Sequence, residues 1–215
     1  MPTRATVVFD LGGVLIDWNP RHLYRKLFAG DDAAMEDFLA NVCTSQWNLQ
    51  QDAGRPFSEA CALLKSQHPD RSEMIDAWFE RFDEMMAGPI QGTVEILAEL
   101  RDSNVPVYAL SNWSAETFPF AQKRFEFLQW FQGIFLSGDV RLVKPDTRIF
   151  QRFCERFGLN PEEIIYIDDL QHNVEASSKI GMRAIHFTDP ASLRRQLAHL
   201  GLLQSKADID HGARA

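Results

Sequence analysis

Two short apolar runs, far apart in the chain, each stop on a carboxylate, and they constrain the fold more than any other feature. Thr6-Val7-Val8-Phe9 leads into Asp10 and then a Gly12-Gly13 turn, and Glu163-Ile164-Ile165-Tyr166-Ile167 leads into Asp168-Asp169. Neither run alternates apolar with polar residues. Each therefore reads as a strand buried on both faces, the pattern of a parallel sheet covered by helices on either side. Such sheets bind ligands in a crevice beyond the carboxyl ends of their strands. An acid placed there, beside glycines that let a ligand approach the backbone, is placed for chemistry. Taken singly, Asp10 is an ordinary turn-capping acid and Asp168-Asp169 an ordinary helix start. The same device on two strands points to one composite site. Carboxylates brought together repel unless a cation joins them, and hard oxygen ligands suit Mg²⁺.

Two more signals lie between these strands. Val107-Tyr108-Ala109-Leu110 ends in Ser111-Asn112, a hydroxyl and an amide able to donate to an anionic oxygen. Leu142-Val143-Lys144-Pro145-Asp146 places a lysine on a loop that the proline keeps out of any preceding helix. The ordered series Asp, Ser-Asn, Lys-Pro, Asp-Asp is more specific than any one of its members.

From residue 92 onward, helix and strand patterns alternate. Helices are expected over 92–103, 114–128, 147–157, 173–181 and 190–200, and strands over 105–110, 133–137, 163–167 and 183–187. That alternation predicts an α/β, Rossmann-like, doubly wound parallel sheet. Between Arg21 and Met86 the chain instead carries Leu, Met, Phe and Ala at helical spacing, with helices expected over 20–29, 31–42, 56–67 and 70–86. The division that follows is a core of residues 1–18 and 88–203, a helical segment over 19–87, and a polar, aperiodic tail over 204–215.

The four motifs FDLGGVL, LSN, Lys144-Pro145 and IDDLQHN resemble those of the haloacid dehalogenase-like hydrolase superfamily in identity, order and spacing, over about residues 5–190. The resemblance is nearest to its sugar-phosphate phosphatases and the phosphatase domain of soluble epoxide hydrolases, which also carry paired Asp followed four residues on by Asn, here Asn173. It implies that the inserted α-helical segment is a cap and that Asp10 is the nucleophile. It also implies Mg²⁺ held by Asp10, the Gly12 carbonyl and Asp169, with Asp168 supporting it through its water shell. Ser111, Lys144 and the amides of the 11–14 turn, Gly13 among them, would hold phosphate oxygens, with Asn112 beside them. Trp18 and Trp113 have two readings, as packing residues, the commoner role of aromatics, or as the lining of a substrate pocket at the cap interface. Trp47, Gln50, Gln51 and Asp52 would form a cap loop that reads the substrate, whereas His172 belongs to the surface.

One position departs from the pattern. Most phosphatases of this superfamily carry a second Asp two residues after the nucleophile, which protonates the leaving group; here that position is Gly12. General acid–base help is commonly worth ~10²–10⁴-fold. Its absence predicts a slow phosphatase or a substrate with a good leaving group, such as a sugar-1-phosphate. Haloacid dehalogenases also lack that Asp and attack carbon without a metal, so dehalogenation is the alternative. Arg21, Arg25 and Arg55 are the candidates for a halide or carboxylate partner in that case. A non-catalytic binding protein on the same scaffold is a third reading, opposed by the joint presence of Asp10, Lys144 and Asp169.

Composition narrows the partners. A net charge of −8 disfavours nucleic acid and anionic membranes, both of which are gripped by Lys/Arg patches. No apolar run approaches the length of a transmembrane helix. Cys43, Cys61 and Cys154 are an odd, widely spaced set that fits a reducing cytoplasm. A small-molecule substrate and a monomer or homodimer are therefore expected.

Overall fold

The structure is a computed structural model that describes residues 5–204 of the chain. Its strands are β1 (Thr6–Phe9), β2 (Ile16–Trp18), β3 (Met86–Pro89), β4 (Val107–Ser111), β5 (Gly133–Leu136), β6 (Ile164–Asp168) and β7 (Arg183–His186). Helices α1 (Arg21–Leu27), α2 (Asp32–Asn41), α3 (Ser45–Asp52), α4 (Phe57–Gln67) and α5 (Ser72–Glu80) all fall between β2 and β3. After β3 come α6 (Gln91–Asp102), α7 (Phe118–Arg124), α8 (Ser137–Val140), α9 (Thr147–Phe157), α10 (Gln171–Ser178) and α11 (Pro190–His199), interleaved with the remaining strands.

Five strands make one parallel sheet in the order β5-β4-β1-β6-β7. The first strand is thus central, with Phe9 opposite Ala109 on one side and Ile167 on the other. Period-two alternation sends successive side chains to opposite faces. Val7, Phe9, Val107, Ala109, Ile165 and Ile167 pack into one core with Ile96 and Leu97 of α6 and Leu193 and Leu197 of α11. Val8, Leu110, Ile164 and Tyr166 pack into a second core with Ile149, Phe150 and Phe153 of α9. Each large side chain withdrawn from water contributes roughly 1.5–3 kcal/mol before ordering entropy is set against it. This is the doubly wound α/β architecture that the sequence predicts.

Four details differ from the expectation, the first being the helix expected over 114–128, which is the shorter α7 followed by a 3₁₀ turn at Glu126–Trp130. Trp47, Gln50, Gln51 and Asp52, expected on a cap loop, belong to helix α3, capped by Thr44, whose Oγ1 accepts from the Trp47 amide at 3.0 Å. The expected helix over 70–86 is interrupted: α5 is flanked by 3₁₀ turns at Pro69–Arg71 and Phe82–Met85. Strands β2 and β3, absent from the expectation, pair antiparallel with Ile16 opposite Pro89 and Asp17 opposite Gly88. That ribbon sets the exit and the return of the helical segment side by side. The expected tail lies, from residue 205 on, outside the described residues.

Aromatic rings run from the helical segment to the strand ends. Trp47 meets Trp78 at 5.4 Å between centroids, Trp78 meets Trp18 at 6.4 Å, Trp18 meets Phe82 at 6.4 Å and Phe82 meets Trp113 at 6.0 Å. No described helix is long and apolar enough to cross a membrane.

Candidate active site

The order of the sheet places the ends of β1, β4 and β6 next to one another, and those ends carry Asp10, Ser111 and Asp168-Asp169. Asp10 continues the ladder by one bond, its amide donating to the Ile167 carbonyl at 2.8 Å. Its Oδ1 accepts from the Leu11 amide at 2.7 Å and from Ser111 Oγ at 2.7 Å. Its Oδ2 lies 2.9 Å from Lys144 Nζ.

Lys144 is 2 % exposed, so its ammonium must find its partners inside the protein. Besides Asp10 it donates to Asp168 Oδ2 at 2.7 Å and to the Leu110 carbonyl at 3.1 Å. The loop that carries it is clamped by Asn112, whose Nδ2 donates to the Lys144 carbonyl at 3.0 Å and whose Oδ1 accepts from the Lys144 amide at 2.8 Å. Asp168 is wholly buried and fully engaged. Tyr166 Oη donates to its Oδ2, the Leu170 amide to its Oδ1 at 2.8 Å, and Asn173 Nδ2 to both oxygens at 3.0 and 3.1 Å. Tyr166 reaches Asp168 because residues i and i+2 of a strand share a face. The sequence reading missed Tyr166, although that spacing was the available signal.

Asp169 faces the other way, toward the turn after β1. Gly13 has φ +73°, and a Cβ there would fall 2.4 Å from Asp169 Oδ2, so only glycine leaves the carboxylate its place. Gly12 is different. Its φ is not positive, and the nearest atom to a Cβ built on it is Trp18 Cβ at 3.9 Å.

Charge in the cluster is unbalanced. Oxygens of Asp10, Asp168 and Asp169 all lie within 4.8 Å of one another, and Lys144 is the cation that bonds to two of these acids. Burial pushes Asp10 up to about 7, with Lys144 opposing and Asp168 adding to the rise. Burial works against the Lys144 ammonium too, but Asp10 and Asp168 outweigh it and hold its pKa above the ordinary lysine value. Asp168 goes the other way: burial opposes its ionisation, yet Lys144 and the surrounding donors keep its carboxyl below the usual range. Burial and the Asp168 charge raise Asp169. Three ionised acids against one ammonium leave two negative charges uncompensated. The all-oxygen donor set and the space that Gly13 leaves for Asp169 therefore fit a hard divalent cation.

Beside this cluster is a cavity of about 60 Å³ lined by Gly12, Trp18, Asn48, Asp52, Phe82, Asn112 and Trp113. The indole N–H groups of Trp18 and Trp113 are buried without a protein acceptor. A much larger groove, about 780 Å³ and lined by Glu95, Pro190 and Arg194 among others, contains none of the clustered acids. Of the residues expected on a cap loop, Asp52 alone reaches the cavity. Gln50 is exposed, and Gln51 is bonded to the Trp47 carbonyl and to Arg55. The arginines considered for a halide do not line it: Arg21 pairs with Glu36, Arg25 with Asp32, and Arg55 with Gln51. His172 is exposed, as expected.

These polar groups at three neighbouring strand ends define a hydrolase on a Rossmann-like core. Residues 7–187 match the haloacid dehalogenase-like hydrolase family, and the chain belongs to it. A sesquiterpene phosphatase of Aspergillus oryzae is 28% identical over 201 residues, covering 92% of this chain and 97% of that one. An (S)-2-haloacid dehalogenase of Burkholderia cepacia is 27% identical over 123 residues, 57% of this chain and 52% of its own length. Among solved structures, a family enzyme of Bacteroides thetaiotaomicron in complex with magnesium and inorganic phosphate superposes with a TM-score of 0.67 at 23% identity, covering 86% of this chain and 95% of that one.

Proposed function

We propose that the protein is a Mg²⁺-dependent phosphatase of a small phosphorylated metabolite, for example a sugar phosphate, working through an aspartyl-phosphate on Asp10. The observation that carries this reading is the convergence of Asp10, Asp168 and Asp169 around a deficit of positive charge, which a metal-free dehalogenase does not need. A phosphatase similar to this chain over nearly its whole length, and a fold neighbour solved with magnesium and phosphate, support it.

Asp10 Oδ2 attacks phosphorus, and Ser111 and Lys144, already bonded to Asp10, move their donors to the phosphate oxygens. Asn112 fixes the Lys144 backbone, and Asp168 orients its ammonium. Asp10, Asp169 and the Gly12 carbonyl would hold the cation, with Asp168 behind them through water. The cation, when bound, screens the phosphate dianion from Asp10. Gly13 supplies an amide to the phosphate, and residues 19–87 act as the cap. Trp18, Phe82 and Trp113 would face the leaving group, and the Asn48 side chain offers it polar contact.

The test is release of phosphate from p-nitrophenyl phosphate and of chloride from 2-chloropropionate, each with Mg²⁺ and with EDTA. Phosphate release that needs Mg²⁺ and is abolished by Asp10→Asn is the expected result. Chloride release at full rate in EDTA would transfer the assignment to a dehalogenase.

A further inference from the structure

Given the phosphoryl-transfer reading of the site, we propose that Asp52 of α3 is the proton donor and acceptor for the leaving group, doing from the helical segment what an acid at position 12 would do from the core. Among the six residues that line the cavity with Gly12, Asp52 is the one titratable side chain. It is held in place from both ends. Asn48 Nδ2 donates to its Oδ2 at 2.9 Å, and Ser137 Oγ donates to its carbonyl at 2.5 Å while accepting from the Trp113 amide at 2.9 Å. The end of α3 is thereby tied to the loop beyond β4 and to the start of α8 beyond β5.

Helix stability does not explain an acid at this place. A negative charge on the last residue of a helix opposes the macrodipole and costs roughly 0.3–1 kcal/mol when ionised. Burial, against the Ser114 amide, pushes its carboxyl up to about 8, with the Asp10 charge adding to the rise and Lys144 opposing it. Near neutral pH the group is therefore a neutral carboxylic acid, able to give a proton.

The proton balance closes over two steps. In the first, Asp10 forms a bond to phosphorus, the bond from phosphorus to the ester oxygen breaks, and that oxygen takes the proton of Asp52 to leave as an alcohol. In the second, the Asp52 carboxylate takes a proton from water, the water oxygen bonds to phosphorus, and the phosphorus–Asp10 bond breaks. Phosphate leaves, with Asp10 ionised and Asp52 protonated again. No co-reactant other than water is needed.

The experiment compares wild type with Asp52→Asn on two Mg²⁺-supported substrates. One is p-nitrophenyl phosphate, whose leaving group needs no proton; the other is glycerol 2-phosphate, whose leaving group does. In Asp52→Asn the first step stays fast for the nitrophenyl ester alone, so rapid mixing gives a stoichiometric burst of nitrophenolate followed by slow turnover. Glycerol 2-phosphate gives no burst and loses ~10²–10⁴-fold in kcat/KM. The alkaline decline of wild-type kcat/KM on glycerol 2-phosphate, where Asp52 loses its proton, disappears in the variant. A second variant, Asp52→Asn with Gly12→Asp, recovers part of the lost rate, since the backbone at position 12 accepts a Cβ without a clash. Equal slowing of both substrates without a burst, or slowing of neither, would overturn the role of Asp52 and leave the phosphatase reading standing. Wild type inactive on every phosphate ester would overturn both.

Discussion

Replacing Lys144 by Met tests the electrostatic design of the site directly, because Met keeps most of the side-chain volume and removes only the ammonium. That ammonium bonds to Asp10, Asp168 and the Leu110 carbonyl with essentially no exposure. Removing one member of a buried ion pair costs about 3–5 kcal/mol, since the partners keep their charge without compensation. At roughly 2–4 °C per kcal/mol for a chain of this size, the melting temperature should fall by about 6–20 °C. The loss should depend on pH. Asp10 already sits at about 7 with Lys144 beside it, and removing the lysine raises it further. An acid whose pKa is raised by folding favours the folded state at low pH and loses that contribution as pH rises through the folded value. Lys144→Met should therefore be least destabilised near about pH 6 and most destabilised near about pH 8.5. Urea unfolding of both proteins without Mg²⁺, at the two pH values, gives the comparison. A cost below about 1 kcal/mol, or one that is the same at both pH values, would refute the claim that this lysine neutralises the buried acids.

Two further outcomes follow from the same cluster. With Asp10 at about 7 in the metal-free protein, Mg²⁺ competes with a proton, so binding near about pH 6 should be weaker and release more protons than near about pH 8.5, as calorimetry in buffers of different ionisation enthalpy would read; pH-independent affinity would remove Asp10 from the ligand set. Gly13→Ala should cost roughly 1–2 kcal/mol for the left-handed backbone and, by displacing the Asp169 carboxylate, weaken Mg²⁺ binding as well; a variant with wild-type Mg²⁺ affinity would show that Asp169 is not positioned by that contact.

The sheet and the acids at its strand ends were legible because their residues obey local rules. Val7 to Phe9 and Ile164 to Ile167 are unbroken apolar runs, and each ends where the polar residue begins. Helix α3 was not legible, because the side chain that shares its buried face with Trp47 is Gln51, wholly buried and paid for by hydrogen bonds to the Trp47 carbonyl and to Arg55. A buried amide hides the apolar periodicity from which a helix is read. The β2–β3 ribbon was invisible for another reason: its partners are separated by the entire helical segment, and neither short strand declares the other. At the site, Asp10, Ser111, Lys144 and the paired Asp stood out as motif residues. The part played by Tyr166 and the placement of Asp52 depend on which face and which cavity a side chain meets, and only the folded chain decides that.

The chain of rings from Trp47 through Trp78, Trp18 and Phe82 to Trp113 places most of the protein's indole fluorophores along the seam between the helical segment and the strand ends. Four of the five tryptophans belong to it, while Trp130 lies elsewhere under Arg101. Indoles this close exchange excitation among themselves, and their emission is sensitive to charge and water nearby. The molecule thus carries an unlabelled fluorophore array at the seam between the helices and the sheet, where a change in ring spacing would alter its ultraviolet emission.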